Sequence, residues 1–204
     1  MKIIVTFLLV TFSFSLYAQT AYDKAMTNSL ELLETDLQAA AQQFERIATV
    51  AKENWLPSYY AALAHVNSSW GQSPKEQTLL YMKKAQEFID KAETISPNNP
   101  EIMVLQGMLN NCYIKYDSSV YGMKLSGPTT AIYEKAIAMA PKNPRVVSNR
   151  AQWLMGSAQF FGKDVTPYCG ELEKAILLFD AEQPEDFKPK WGKEGALKAQ
   201  QGCK

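Results

Sequence analysis

The chain aligns with itself, and this repetition limits its fold more than any other feature. Four stretches share one order of apolar residue, acid, base and core-facing residue: Phe44-Glu45-Arg46-Ile47, Ile89-Asp90-Lys91-Ala92, Tyr133-Glu134-Lys135-Ala136 and Leu172-Glu173-Lys174-Ala175. They lie 45, 44 and 39 residues apart. Pro97 and Pro141 follow Ala92 and Ala136 by five residues, and Pro100 and Pro144 follow those by three, each behind an asparagine, Asn99 or Asn143. Asn54-Trp55 stands at the matching point of the first copy. Seven residues beyond Trp55, Pro100 and Pro144 come Ala62, Gly107 and Ala151, small residues of the kind that lets two helices approach closely. A unit of this size cannot bury its apolar side alone, so the period implies stacked units sharing one continuous core.

Between these landmarks the periodicity is helical. Leu33, Leu37, Ala40, Phe44, Ile47 and Ala51 recur at steps of three and four residues and form one apolar stripe. Thr35 with Gln38, and Ser73 with Glu76, have the spacing of a capping box. Pro74, Pro100, Pro144 and Pro167 fall where a first-turn proline is tolerated, because that N–H has no partner within the helix. Gly71 and Gly162 fall where a helix would stop. The pattern predicts helices near 21–34, 36–53, 57–70, 75–95, 101–116, 129–140, 145–161, 168–181 and 190–201, with a long loop at 117–127 and no alternating strand pattern.

These residues resemble the tetratricopeptide repeat family. The likeness rests on Glu134-Lys135-Ala136 with Pro141-Lys142-Asn143-Pro144, and on Ala62, Gly107 and Ala151 at the tight-packing position. Trp55-Leu56-Pro57-Ser58-Tyr59-Tyr60 also looks like exported bacterial repeat proteins of this size. The resemblance implies an all-α fold: a right-handed superhelical α-solenoid of about four hairpins (21–53, 55–97, 100–141 and 144–181) plus a capping helix at 190–201. These repeats run longer than the family's usual ~34 residues. By the same resemblance, the first helix of each pair lines a concave binding face. Carried over by position, that face takes Leu56, Tyr59, Leu63 and Asn67, then Glu101, Val104, Met108 and Asn111, then Arg145, Ser148, Gln152 and Met155. The expected partner-binding residues are Tyr59, Asn67, Glu101, Asn111, Arg145, Ser148 and Gln152. A groove of this mixed character suits a protein or peptide partner. Tyr59 and Leu63 stand where a carboxylate-gripping variant of the family would carry Lys and Asn, which argues against an acid-tailed partner.

The first eighteen residues read differently from the rest. Met1-Lys2 precedes an apolar run from Ile3 to Leu16, and Tyr17-Ala18-Gln19 follows. This is the pattern of a secretory signal peptide cut after Ala18, leaving a single domain at 19–204 in the periplasm or outside the cell. Cleavage removes one base and leaves 20 basic against 21 acidic groups, with no further segment able to span a membrane. Nucleic acid is not an expected partner, since phosphate neutralisation needs a clustered basic excess. Cys112, Cys169 and Cys203 lack zinc or redox-pair spacing. In the implied fold consecutive helices run antiparallel, so Cys169 at the start of one approaches Cys203 at the end of the next. A Cys169–Cys203 disulfide is expected, with Cys112 a buried thiol.

Candidate chemistry is sparse. His65 is the only histidine and cannot make a two-histidine metal site, so it reads as a packing residue. No nucleophile elbow or phosphate loop occurs, and no cofactor or metal is expected. In the 117–127 loop, Tyr121, Met123 and Leu125 read as covering a repeat junction, and Trp191 as sealing the end of the stack. The leading expectation is a non-enzymatic exported scaffold that binds a protein or peptide on its concave face. The alternative is a ligand-binding accessory of a transport system, which a closed apolar pocket between the inner helices would favour over an open groove.

Overall fold

In the computed structural model, residues 20–71, 73–183 and 185–203 are described; the expected signal segment lies outside them. The described residues form nine α-helices, one 3-10 turn and no strand. Helix α1 spans 20–35. It is followed by α2 (Leu37–Val50), α3 (Trp55–Ser69), α4 (Lys75–Ile95), α5 (Pro100–Tyr116) and α6 (Ser118–Met139). Then come α7 (Pro144–Phe160), α8 (Thr166–Ala181), α9 (Lys193–Gln200) and a 3-10 turn at Gln201–Cys203. From α2 onward each helix packs on the next, and α3, α5 and α7, the first helices of successive pairs, also pack side by side. The result is an all-α solenoid of helix hairpins. None of the described helices is long and apolar enough to cross a membrane.

Asparagine sets the repeat. Asn54, Asn99 and Asn143 each cap the first helix of a pair, their side chains accepting hydrogen bonds from the backbone N–H of Leu56, Glu101 and Arg145. Pro100 and Pro144 follow at the first helical position, with backbone already near helical φ. Two expected capping boxes do not form. Thr35 belongs to α1, and Asp36 caps α2 instead by accepting from Gln38 and Ala39; Pro74 begins α4 without a side-chain cap bond. At the end of α7, Gly162 takes φ +63°, Gly162 N–H donates to the Gln159 carbonyl and Lys163 N–H to that of Ala158. This pairing satisfies the last carbonyls of the helix.

The core runs down the stack. Helix α3 is buried without a break from Leu56 to Val66, the signature of a central helix, and Phe44 of α2 stacks on Tyr60 at 5.1 Å. Gly107 marks the closest approach of α5 to α6: a Cβ there would come within 2.6 Å of the Tyr133 hydroxyl and inside its ring.

The expected loop at 117–127 is helical. Asp117 caps α6 by accepting from Ser119 and Val120, and the helix runs through Gly122, Gly127 and Pro128. Pro128 has no N–H for the Lys124 carbonyl, but Ser126 and Thr129 donate their hydroxyls to the carbonyls of Gly122 and Leu125. Tyr121 packs on Tyr113, whereas Met123 is 98% exposed and covers no junction. The last helix also starts later than expected, at Lys193, because the preceding residues do other work.

Candidate functional site

Residues 185–192, between α8 and α9, lie as a strap across the first helices of the pairs. The Phe187 ring meets Tyr22 of α1 edge-on at 5.8 Å, and its carbonyl accepts the Tyr60 hydroxyl of α3 at 2.9 Å. Trp191 donates its indole N–H to the Tyr59 hydroxyl at 2.9 Å and packs against the two apolar clusters built around α3 and around Val104 and Val146. Lys188 sits over the Trp55 ring at 5.3 Å. Trp191 thus spans the middle of the inner face and does not seal the end of the stack. Phe187 adopts φ +57°, a conformation that costs a bulky residue about 1–3 kcal/mol and is held by these contacts.

Beneath the strap lies a buried charge cluster. Arg145 is 3% exposed. Its Nε donates to Glu101 at 2.8 Å, and its two terminal nitrogens bind both oxygens of Glu182. Glu101 also accepts from Asn143 at 2.6 Å and from the Tyr59 hydroxyl at 3.3 Å. Burial works against the guanidinium charge, but the hydrogen bonds and charges of Glu182 and Glu101 outweigh it and hold the Arg145 pKa above its ordinary value. Burial pushes the Tyr59 hydroxyl well up, with the Glu101 charge adding to it. Tyr60 is likewise raised, by burial first.

The strap divides the inner face into two cavities. One, about 550 Å³, is bounded by Trp55, Phe179, Lys188 and the cluster residues Glu101, Asn143, Arg145 and Glu182. Those cluster residues are already bonded to one another, so this wall offers a ligand little. The other cavity, about 590 Å³, lies between α1, α3 and the strap. Its walls are Leu30 and Leu33 of α1, Tyr60 and Leu63 of α3, and Phe187 and Trp191 of the strap. Asn67 lines it with a side-chain amide that makes no hydrogen bond among the described residues, and Thr27, Glu31, Glu34, Asp186, Lys188 and Lys190 line it as well. Apolar walls with a few polar groups set among them are the usual form of a small-molecule site.

Of the seven expected partner-binding residues, Tyr59, Glu101, Arg145 and Ser148 are buried, the first three in the cluster under the strap. Gln152 is half-buried and donates to Ser148 at 2.8 Å; neither lines either of these two cavities, and nor does Asn111. Asn67 and Leu63 are the inner-face residues that line the second cavity. Sequence reasoning missed Leu30, Leu33 and Phe187 as site residues and gave Trp191 a different role. Leu33 stood in an ordinary apolar stripe, but two aromatics in a Pro/Lys-rich connection were a usable signal. Cys169 and Cys203 are disulfide-bonded with Cα atoms 5.9 Å apart, and Cys112 is a buried free thiol pushed up by burial to about 12. His65 is buried between Tyr81 and Phe88, with Nε2 2.7 Å from Glu45.

No family model matches the chain, and no curated protein matches it. Among solved structures, the HusA haemophore from Porphyromonas gingivalis is similar with a TM-score of 0.77 at 21% identity, over 91% of this chain and 92% of that one. A thermophilic tetratricopeptide-repeat protein of Thermus thermophilus is similar with a TM-score of 0.51 at 14% identity, over 82% and 84%. At these identities the likeness is one of fold, and neither neighbour is named as an enzyme. The chain has the helical solenoid fold of the tetratricopeptide-repeat type.

Proposed function

We propose that the protein is a non-enzymatic carrier that holds a compact, largely apolar ligand between α1, α3 and the strap. The observation that carries this reading is the strap itself. An adaptor for an extended peptide needs an inner face open along its length, and here residues 185–192 cross it and leave a cavity of about 590 Å³ whose walls include Leu30, Leu33, Tyr60, Leu63, Phe187 and Trp191, with Glu31, Glu34, Asp186, Lys188 and Lys190 among them. The Asn67 amide would orient the ligand, and Phe187 and Trp191 would contribute aromatic surface. The apolar leader and the Cys169–Cys203 bridge fit work in an oxidising compartment outside the cytosol, as an accessory that passes its ligand to a transport system.

The fold shared with a haemophore makes haem the first ligand to test. Titrating haem into the protein should quench the tryptophan fluorescence, less so in Trp191→Phe, and shift the haem absorbance, with saturation at one equivalent. Leu33→Glu, which places a charge in the wall, should weaken binding by about tenfold or more, since one desolvated charge costs at least about 1.4 kcal/mol. If haem and a panel of apolar ligands leave the fluorescence unchanged, or if Leu33→Glu binds like the parent, the cavity is not the site. A peptide that binds only when Trp191→Ala has loosened the strap would restore the adaptor reading.

A further inference from the structure

We propose that the edge of the solenoid carrying the C-terminal ends of α3, α5 and α7 is a docking surface for an anionic lipid bilayer. First helices of stacked pairs run alongside one another, so these ends share one side of the molecule. The side chains there are apolar and exposed. Phe160 and Phe161 are 79% and 66% exposed and pack edge to face, forming a knob at the end of α7. Met123 and Val120 project from the first turns of α6, and Trp70 caps α3. Unburied apolar groups clustered on one edge of an otherwise well-packed protein mark an interaction site.

Charge identifies the occupant. Each aromatic end carries a lysine: Lys115 lies over Trp70 at 4.8 Å and Lys163 over Phe161 at 6.0 Å. Lys75 and Lys124 are exposed on the same edge. The facing acids are Glu76, Asp117 and Asp164. Both aspartates accept hydrogen bonds from backbone N–H groups at helix starts, Asp117 from Ser119 and Val120 and Asp164 from Thr166. Their charge is thereby turned onto those helix ends, while the four lysines are exposed to solvent. Rings that enter the interface beside lysines at headgroup level are the chemistry of an anionic membrane surface. The edge turns acidic only at the first pair, where Glu34 and Asp36 stand, so the contact spans the later pairs.

Flotation of the purified protein tests this, using vesicles of phosphatidylcholine alone against phosphatidylcholine mixed with phosphatidylglycerol. The protein should float with the mixed vesicles only, and less at high salt. Phe160→Ser with Phe161→Ser should cut partitioning by about tenfold per ring, and Lys115→Gln or Lys163→Gln by about fivefold each. Helical circular dichroism and ligand binding should be unchanged in these variants. A parent protein that stays in solution overturns the proposal, as does a doubly substituted variant that floats equally well. Self-association of the parent without vesicles, abolished by the same two substitutions, would assign the edge to a second copy of the chain.

Discussion

Arg145 stands between two carboxylates in a nearly closed space, and its removal is informative. Arg145→Met would leave Glu101 buried without a counter-charge, and breaking a buried pair from one side costs about 3–5 kcal/mol. Urea unfolding should show that loss for Arg145→Met. Adding Glu101→Gln to Arg145→Met should recover part of it, because the orphaned charge is then gone. Equal stability of the single and double variants would mean that the cluster is not electrostatically coupled. The tyrosines give a second prediction. Tyr59, Tyr60 and Tyr133 are all held protonated, chiefly by burial, above the ordinary value of 10.0. Below that pH both folded and unfolded chains keep the proton, and stability does not depend on it. Above it the unfolded chain ionises while the native one does not, so the unfolded state binds fewer protons and stability falls as pH rises. Tyrosinate absorbance should therefore rise in two stages, exposed phenols first and these three only as helical circular dichroism collapses. A single smooth titration with the helices intact would contradict the burial argument.

Helix pairs were legible in the sequence wherever a landmark marked both ends. Asn-Pro starts placed α5 and α7 to within a residue or two, Glu-Lys-Ala stretches marked the second helices α6 and α8, and Gly107 was readable as a point of close approach. That last reading has a cost attached. Gly107→Ala would push a methyl into the Tyr133 ring, and overpacking of this kind destabilises by about 1–3 kcal/mol. Tyr133→Leu in the same chain should relieve part of the loss, as read by thermal unfolding; additive losses would show that α5 and α6 shift apart instead. What the sequence hid was α6. Gly122, Gly127 and Pro128 are loop residues by local preference, yet the stretch is a helix packed along α5. Tertiary contact overrides propensity here, as Thr129 is buried and its hydroxyl accepts from Asn110. The strap was hidden for the opposite reason. Its residues carry no period, and their positions are fixed by single long-range bonds, such as Trp191 to Tyr59 across 132 residues.

At the scale of the whole molecule, the candidate site depends on a segment that belongs to no repeat. The strap is held on one side by Glu182, which grips Arg145, and on the other by α9, which packs on α8 and ends in the Cys169–Cys203 bridge. The seven partner-binding residues expected from the repeat pattern describe a bare solenoid, whereas four of them, Tyr59, Glu101, Arg145 and Ser148, are buried in the molecule as it folds. The disulfide is therefore coupled to the cavity through α9 and the strap, although neither cysteine lines it. Closing a loop of this separation, 34 residues, contributes about 3–4 kcal/mol in the loop-entropy account. Titration of the denatured, unreduced protein should find one thiol, Cys112, and three after reduction. Native protein treated with a reductant should lose that stability first at its C-terminal end. Cleavage by a lysine-specific protease at Lys188 and Lys190 should then accelerate, and affinity for the cavity ligand should fall, while helical content from α1 to α7 persists. If reduction speeds cleavage evenly along the chain, the bridge stabilises the fold as a whole and the strap has no separate anchor. If it leaves cleavage and binding unchanged, Glu182 and Trp191 hold the strap without it.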